Sequence, residues 1–206
     1  MKAQGTKGVL YAIAALIGVA VPGGVLAQTK AQGLNAYADC TFSDGLMIVR
    51  TDQLPPEVTH RTVETDDGVG QIELVAGLRI MFAYPLTDFY ANVKTERLPA
   101  ARYSELKKDL MANFQHLAHA NTINTSLQSP LHGLEAHGLD RNQLEGGVLG
   151  IYLLFDDTAH TATTIYLLNR EPMTRKFQTI EEYRALRDGF LNTYTGCIQS
   201  NLFHSK

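Results

Sequence analysis

Cysteine is scarce: Cys40 and Cys197 are the only two in 206 residues, and no C-x-x-C pair is formed. That removes the thioredoxin type of dithiol chemistry. There is no G-x-S-x-G elbow and no phosphate-binding glycine loop, so the common serine-hydrolase and nucleotide-binding signatures are missing too. Basic clusters are absent and the formal net charge is -3. Such a balance argues against nucleic acid as the main partner and against an anionic membrane surface. No long hydrophobic run occurs either. The apolar stretch Val9 to Val21 is about 13 residues, short of the roughly 20 that a spanning helix needs.

What is present begins with an export pattern. Lys2 and Lys7 precede the apolar stretch, Pro22-Gly23-Gly24 breaks it, and Val25-Leu26-Ala27 closes with small residues. This predicts a cleaved secretory signal over 1–27, with an uncleaved anchor as the alternative. Cleavage leaves Gln28 to Lys206, 27 residues fewer than 206, or 179, enough for one domain with a real core. The signal carries two lysines and no acids, so its loss takes the net charge from -3 to -5. The expected product is periplasmic or secreted, with a polar linker over 28–38 and a single domain over 39–206. No stable membrane span remains after cleavage.

An exported chain meets an oxidising compartment. Cys40 and Cys197 are therefore expected to pair, two buried free thiols being the alternative. They sit near the two ends of the domain, and in the chain-entropy model a loop that long contributes roughly 5 kcal/mol.

Strand signals dominate the first half. "LMIVR" (46–50) is a short apolar run, and "LPPE" (54–57) is punctuation, because proline cannot donate to a sheet ladder. "THRTVET" (59–65) alternates, "DDG" (66–68) supplies a turn and "VGQIELV" (69–75) returns. Ala76-Gly77 is expected to turn again into "LRIMFAY" (78–84), which Pro85 ends. In "DFYANVKTERL" (88–98), Phe89, Ala91 and Val93 share one face; Tyr90, Asn92, Lys94 and Glu96 share the other.

Then the period changes. Tyr103, Leu106, Leu110, Phe114 and Leu117 recur at threes and fours, which predicts one helix stripe. "NTINTSLQSP" (121–130) is expected to be a polar connection, and "LHGLEAHGL" (131–139) a short strand. "GVLGIYLLF" (147–155) and "TATTIYLLN" (161–169) are strong strands joined through "DDTAH". Thr179 and Glu182 form a capping box ahead of a last helix with Ile180, Tyr183, Arg187, Phe190, Leu191 and Tyr194 on one stripe. Gly189 weakens that helix somewhat. Strands, helix, strands, helix predicts an α+β domain: one twisted antiparallel sheet covered by two main helices.

The histidines invite a metal reading. A zinc site needs three or four ligands converging on one point. Measured from Leu110 around a helix, His116 falls near ~240° and His119 near ~180°, away from the apolar stripe. If 131–137 is extended, Glu135 and His137 share a face and His132 takes the other. A helical reading would bring His132 and Glu135 together, but Gly133 and Gly138 bracket the stretch, and Ala136 interrupts the inverted zinc-protease pattern H-x-x-E-H. The expectation is no metal and no cofactor. The alternative is a secreted hydrolase or metal-binding protein using His132, Glu135 and His137.

Asp66-Asp67 and Asp156-Asp157 suit tight turns, where aspartate bonds to nearby backbone. Asn124-Thr125-Ser126 matches a glycosylation sequon, which matters only in a host with that machinery. The polar stripe Tyr90, Asn92, Lys94 and Glu96, continuing to Arg97, is the candidate binding surface. It reads either as a docking edge or as the wet face of an antiparallel strand.

The element order resembles the PsbP-like fold, extrinsic photosystem subunits and their non-photosynthetic bacterial relatives. The matching pieces are "LRIMFAYP" (78–85), "YSELKKDLMANF" (103–114), "GVLGIYLLF" with "TIYLLN", and "IEEYRALRDGFLNTY" (180–194), within about residues 40–200. The family's tryptophan after the proline is replaced by Leu86, and the chain has no tryptophan. The resemblance implies an exported, non-catalytic accessory or binding role, with an unspecified protein or small-molecule partner.

Overall fold

The computed structural model describes residues 47–53, 60–65, 68–82, 86, 88–117, 122–125, 127, 131–141, 144–170 and 177–204. The signal segment, the linker, Cys40, "LPPE", Asp66-Asp67, Pro85, His119, Ser126 and Pro172 lie outside them.

The chain runs β1 (Met47–Gln53), β2 (His60–Thr65), β3 (Gly68–Phe82), β4 (Phe89–Arg97), α1 (Tyr103–Leu117), β5 (Thr122–Thr125), β6 (Glu135–Arg141), β7 (Val148–Asp156), β8 (Thr161–Asn169) and α2 (Ile180–His204). Eight strands form one sheet in the order β1-β3-β4-β8-β7-β6-β5, with β2 also on β3. Every pairing is antiparallel. This is the α+β architecture that the element order predicts.

The pleat explains the layers. Along β7, Tyr152 and Leu154 enter one core and Leu153 and Phe155 the other, because successive side chains point to opposite faces. The first core lies between the sheet and α2, which contributes Tyr183, Phe190, Leu191, Tyr194 and Ile198. The second lies between the sheet and α1, which contributes Tyr103, Leu106 and Phe114. The two helices therefore cover opposite faces. α2 starts at the expected capping box: Thr179 Oγ1 accepts from Glu182 N–H at 3.2 Å, and Glu182 Oε2 accepts from Gln178 and Thr179 N–H at 2.7 and 3.4 Å. Gly189 meets nothing within 4 Å on its open side, so α2 passes through it uninterrupted to His204.

Four local expectations are corrected. Ala76-Gly77 makes no turn. β3 runs straight through it, and a register shift against β4 between Leu74 and Ala76 absorbs the irregularity. The strand stays whole because it serves several neighbours: Gly68–Glu73 face β2, Leu78–Phe82 face β1, and β4 spans the junction. The polar stretch after α1 holds a strand, β5, whose backbone ladders onto β6 from Thr122↔Arg141 to Thr125↔Gly138. A short edge strand needs no apolar side chains to pair. Leu117 is 47% exposed, since α1 has passed the end of its core after Phe114. Finally, the extended stretch starts only at Glu135. Leu131–Leu134 is a tight turn with Leu134 N–H bonded to Leu131 O at 3.0 Å, and His132 (φ 49) and Gly133 (φ 86) both left-handed, as a type I′ turn requires.

Candidate functional site

That turn decides the histidine question. His132 sits on the α2 side, with Nε2 3.0 Å from Asn192 Oδ1. Glu135 and His137 stand on the α1 side and bond to each other, Nε2 to Oε1, at 2.7 Å. The sheet separates the trio, so His132, Glu135 and His137 do not converge. Among the described residues no group of three or more His, Cys, Asp or Glu side chains is placed to hold a metal ion. His116 is exposed.

Glu135 has a stronger partner that the sequence does not reveal. Lys107 of α1 donates to Glu135 Oε2 at 2.6 Å and to Asp157 Oδ1 at 2.7 Å, and Tyr103 OH donates to the same Asp157 oxygen at 2.6 Å. The ammonium also lies 5.0 Å from the Phe155 ring centre. The bond from Lys107, then that from His137, holds the Glu135 carboxyl below its ordinary value. Lys107 and then Tyr103 do the same for Asp157. Burial pulls Lys107 down, but its bonds to Asp157 and Glu135 outweigh that and raise it. Burial, reinforced by Asp157, raises the Tyr103 phenol. A lysine locked as the cation and two locked carboxylates make a clamp between helix and sheet. They are poorly suited to proton transfer, which favours a group titrating near the working pH. The paired aspartates thus divide their work. Asp156 is the turn residue expected from sequence, accepting from Thr158 and Ala159 N–H at 2.9 and 3.0 Å; Asp157 joins the clamp.

A second polar cluster is centred in the core. Asp140 of β6 (0% exposed) pairs with Arg187 of α2 (3% exposed). Tyr152 OH donates to Asp140 Oδ1 at 2.5 Å and lies 2.6 Å from Tyr183 OH. Arg187 Nε reaches Asp188 at 2.8 Å. Burial raises both phenols, so they stay neutral hydrogen-bond partners. Sequence reading places Arg187 on the apolar stripe without naming its partner. Its charge is balanced within the core, as a buried ion requires.

The Tyr90–Arg97 stripe is no sheet edge: β4 is flanked by β3 and β8. Its members have local partners. Lys94 Nζ is 3.1 Å from Glu96 Oε1, and Arg97 is 3.3 Å from Glu73 Oε2. Glu96, expected on the wet face, is only 8% exposed. What the sequence misses is the surface around Tyr90. Met81, Tyr90, Leu168 and Val148 stand in register across four neighbouring strands, and the next row is Arg79, Asn92, Tyr166 and Ile151. The first row belongs to neither core, because α1 covers only the other end of this face. Arg79 lies 5.2 Å over the Tyr90 ring and donates to Asn92 Oδ1 at 3.2 Å. Asp52 of β1 stands directly opposite Arg79 across the ladder.

On the opposite face, a cleft of about 570 Å³ opens between the two turns and the C-terminal half of α2. His132, Asp156, Thr158, Ala159, Gln199 and Leu202 line it. Its size falls in the usual range for small-molecule sites, about 300–1,000 Å³.

Cys197 lies on α2, partly buried against the larger core, and no free cysteine occurs among the described residues. No helix among the described residues is long and apolar enough to cross a membrane. Comparison with protein-family models, with curated proteins and with solved structures finds no match for this chain.

Proposed function

We propose that the protein is an exported, non-catalytic accessory protein, periplasmic or secreted, that docks a protein partner on the open half of its sheet. One observation carries this reading: Met81, Tyr90, Leu168 and Val148 stand in one cross-strand row outside both helix-covered cores, with Tyr166 beside them. Tyr166 is 37% exposed and the row beside it is half-buried; contiguous apolar area that reaches the surface marks interaction sites. Arg79 at its centre reaches Asn92 and the Tyr90 ring, and its cross-strand neighbour on β1 is Asp52. The partner in this reading is a protein segment with aliphatic side chains for the row and a carboxylate that joins Asp52 at Arg79. A non-catalytic role of this sort is what the PsbP-like resemblance implies. A Cys40–Cys197 bridge closing the domain fits it too, and the lack of a free cysteine among the described residues supports that bridge.

The test uses the oxidised chain from Gln28 and two acetylated nonapeptides, one alternating Leu and Glu, the other Leu and Lys. The Leu/Glu peptide is expected to shift backbone amide NMR signals of Met81, Tyr90, Tyr166 and Leu168 saturably. It should bind at least fivefold more tightly than the Leu/Lys peptide, and Arg79→Gln should erase that preference. Equal binding of both peptides, shifts mapping elsewhere, or binding to anionic vesicles alone would overturn the reading. N-terminal sequencing and thiol titration of the exported protein test the signal and the bridge.

A further inference from the structure

We infer that the cleft between the Leu131–Leu134 turn, the Asp156–His160 turn and α2 is a binding site for a small organic cation, an amine carrying an apolar body. This goes beyond the partner surface and does not depend on it, since the cleft lies on the α2 side of the sheet.

Three observations lead there. The first is charge. Among the described residues, Asp156 is the one carboxylate lining the cleft, and no lysine or arginine lines it. Among the described residues the Asp156 carboxylate meets no cation; the turn N–H groups of Thr158 and Ala159 both donate to its Oδ1. Those bonds fix the carboxylate in place and leave its second oxygen available. The second is the neighbouring imidazole. His132 is held by a left-handed backbone and by Asn192. With Nε2 engaged at Asn192 Oδ1, Nδ1 is the ring nitrogen left to a ligand, and it can accept from an ammonium. The third is the rest of the wall. Leu202 and Ala159 supply apolar surface, while Thr158 and Gln199 offer neutral polar groups. A hydrated inorganic cation gains nothing from the leucine. An aliphatic or aromatic amine uses both halves, with a charge-assisted bond at Asp156 and apolar contact at Leu202. The acidic balance of the chain, -3 over its full length, adds to the attraction.

Calorimetry with three probes of one shape tests this: 2-phenylethylamine, 2-phenylethanol and 3-phenylpropionate. The ammonium is expected to bind saturably, at least tenfold more tightly than the alcohol, and the carboxylate not at all. Asp156→Asn removes the charge while its amide oxygen can still accept from Thr158 and Ala159. It should keep the fold by circular dichroism and weaken the amine at least tenfold. Thr158→Trp, on an exposed turn position, should block the cleft with Asp156 intact and abolish binding. No saturable amine binding, equal affinity for all three probes, or undiminished affinity in Asp156→Asn would overturn the assignment. Arg79→Gln should leave amine binding unchanged, which separates failure here from failure at the partner surface.

Discussion

Arg187 of α2 closes on the carboxylate of Asp140 in β6, 47 residues away in the chain, and the pair lies inside the protein with Tyr152 and Tyr183. Breaking the pair leaves the buried Asp140 carboxylate with only the more distant, part-exposed Arg184, 3.7 Å away, beside it among the described residues. Arg187→Met is therefore expected to lower stability by about 3–5 kcal/mol, read by urea denaturation. Replacing both partners, Asp140→Leu with Arg187→Met, should cost clearly less than the sum of the two single changes, because no lone ion is left. A double variant as unstable as the sum would show that the residues act independently.

Gly150 explains how two phenols fit beside that carboxylate. A Cβ built there would overlap the hydroxyls of both Tyr152 and Tyr183. Gly150→Ala is expected to cost about 1–3 kcal/mol through overpacking, with more if the phenol bond breaks. Adding Tyr183→Phe frees space at the same point and should recover part of the loss. Thermal melts of the single and double variants check this, and no recovery would place the strain elsewhere.

These two features mark where sequence reading stops. Periodicity is local, so the strands 147–155 and 161–169, both helices and the Thr179–Glu182 box are legible in it, and with them the α+β layout. The Glu135–His137 shared face follows from the pleat alone. Lys107 and Asp157 are 50 residues apart, and nothing in either neighbourhood announces the other. The same holds for Asp140 with Arg187. Ala76-Gly77 misleads because its small residues look like a turn yet pair regularly with Thr95 and Lys94, the irregularity falling on Val75 beside them. Thr122–Thr125 misleads because an edge strand is held by backbone ladder, which leaves no apolar mark. Arg79 escapes attention because its importance lies in the row of cross-strand neighbours, a property of register.

The Lys107 clamp sets a pH dependence with a definite sign. Glu135 and Asp157 have depressed folded values. Their contribution is present above the ordinary carboxylate values and is lost as pH falls through the depressed ones. Lys107 is raised, so its share is present below the ordinary lysine value and is lost as pH rises through the raised one. Lys107→Met keeps the stem on Phe155 and removes the charge. Glu135 and Asp157 side chains are 43% and 64% exposed, so water screens the pairs and the cost should be about 1 kcal/mol or less. The gap between variant and wild type should be widest near neutral pH, close in acid, close again in strong base, and shrink in salt. A gap independent of pH would mean that packing, not charge, joins α1 to the sheet.

The start of α2 matters for a reason beyond its own turn. Tyr183 stands one residue past Glu182, and its hydroxyl must meet Tyr152 OH at 2.6 Å inside the core. Fraying of the first turn withdraws it. Thr179 Oγ1 satisfies the Glu182 N–H, and Glu182 returns two bonds to Gln178 and Thr179. Thr179→Ala is expected to cost about 1 kcal/mol, while Thr179→Ser keeps the oxygen and should be near neutral. Hydrogen exchange gives the sharper readout. In Thr179→Ala, the amides of the first turn of α2 should lose protection first, and the Tyr152 hydroxyl environment should change with them by NMR. Loss confined to the first turn, with the phenols unmoved, would show that the buried cluster anchors the helix without help from its cap.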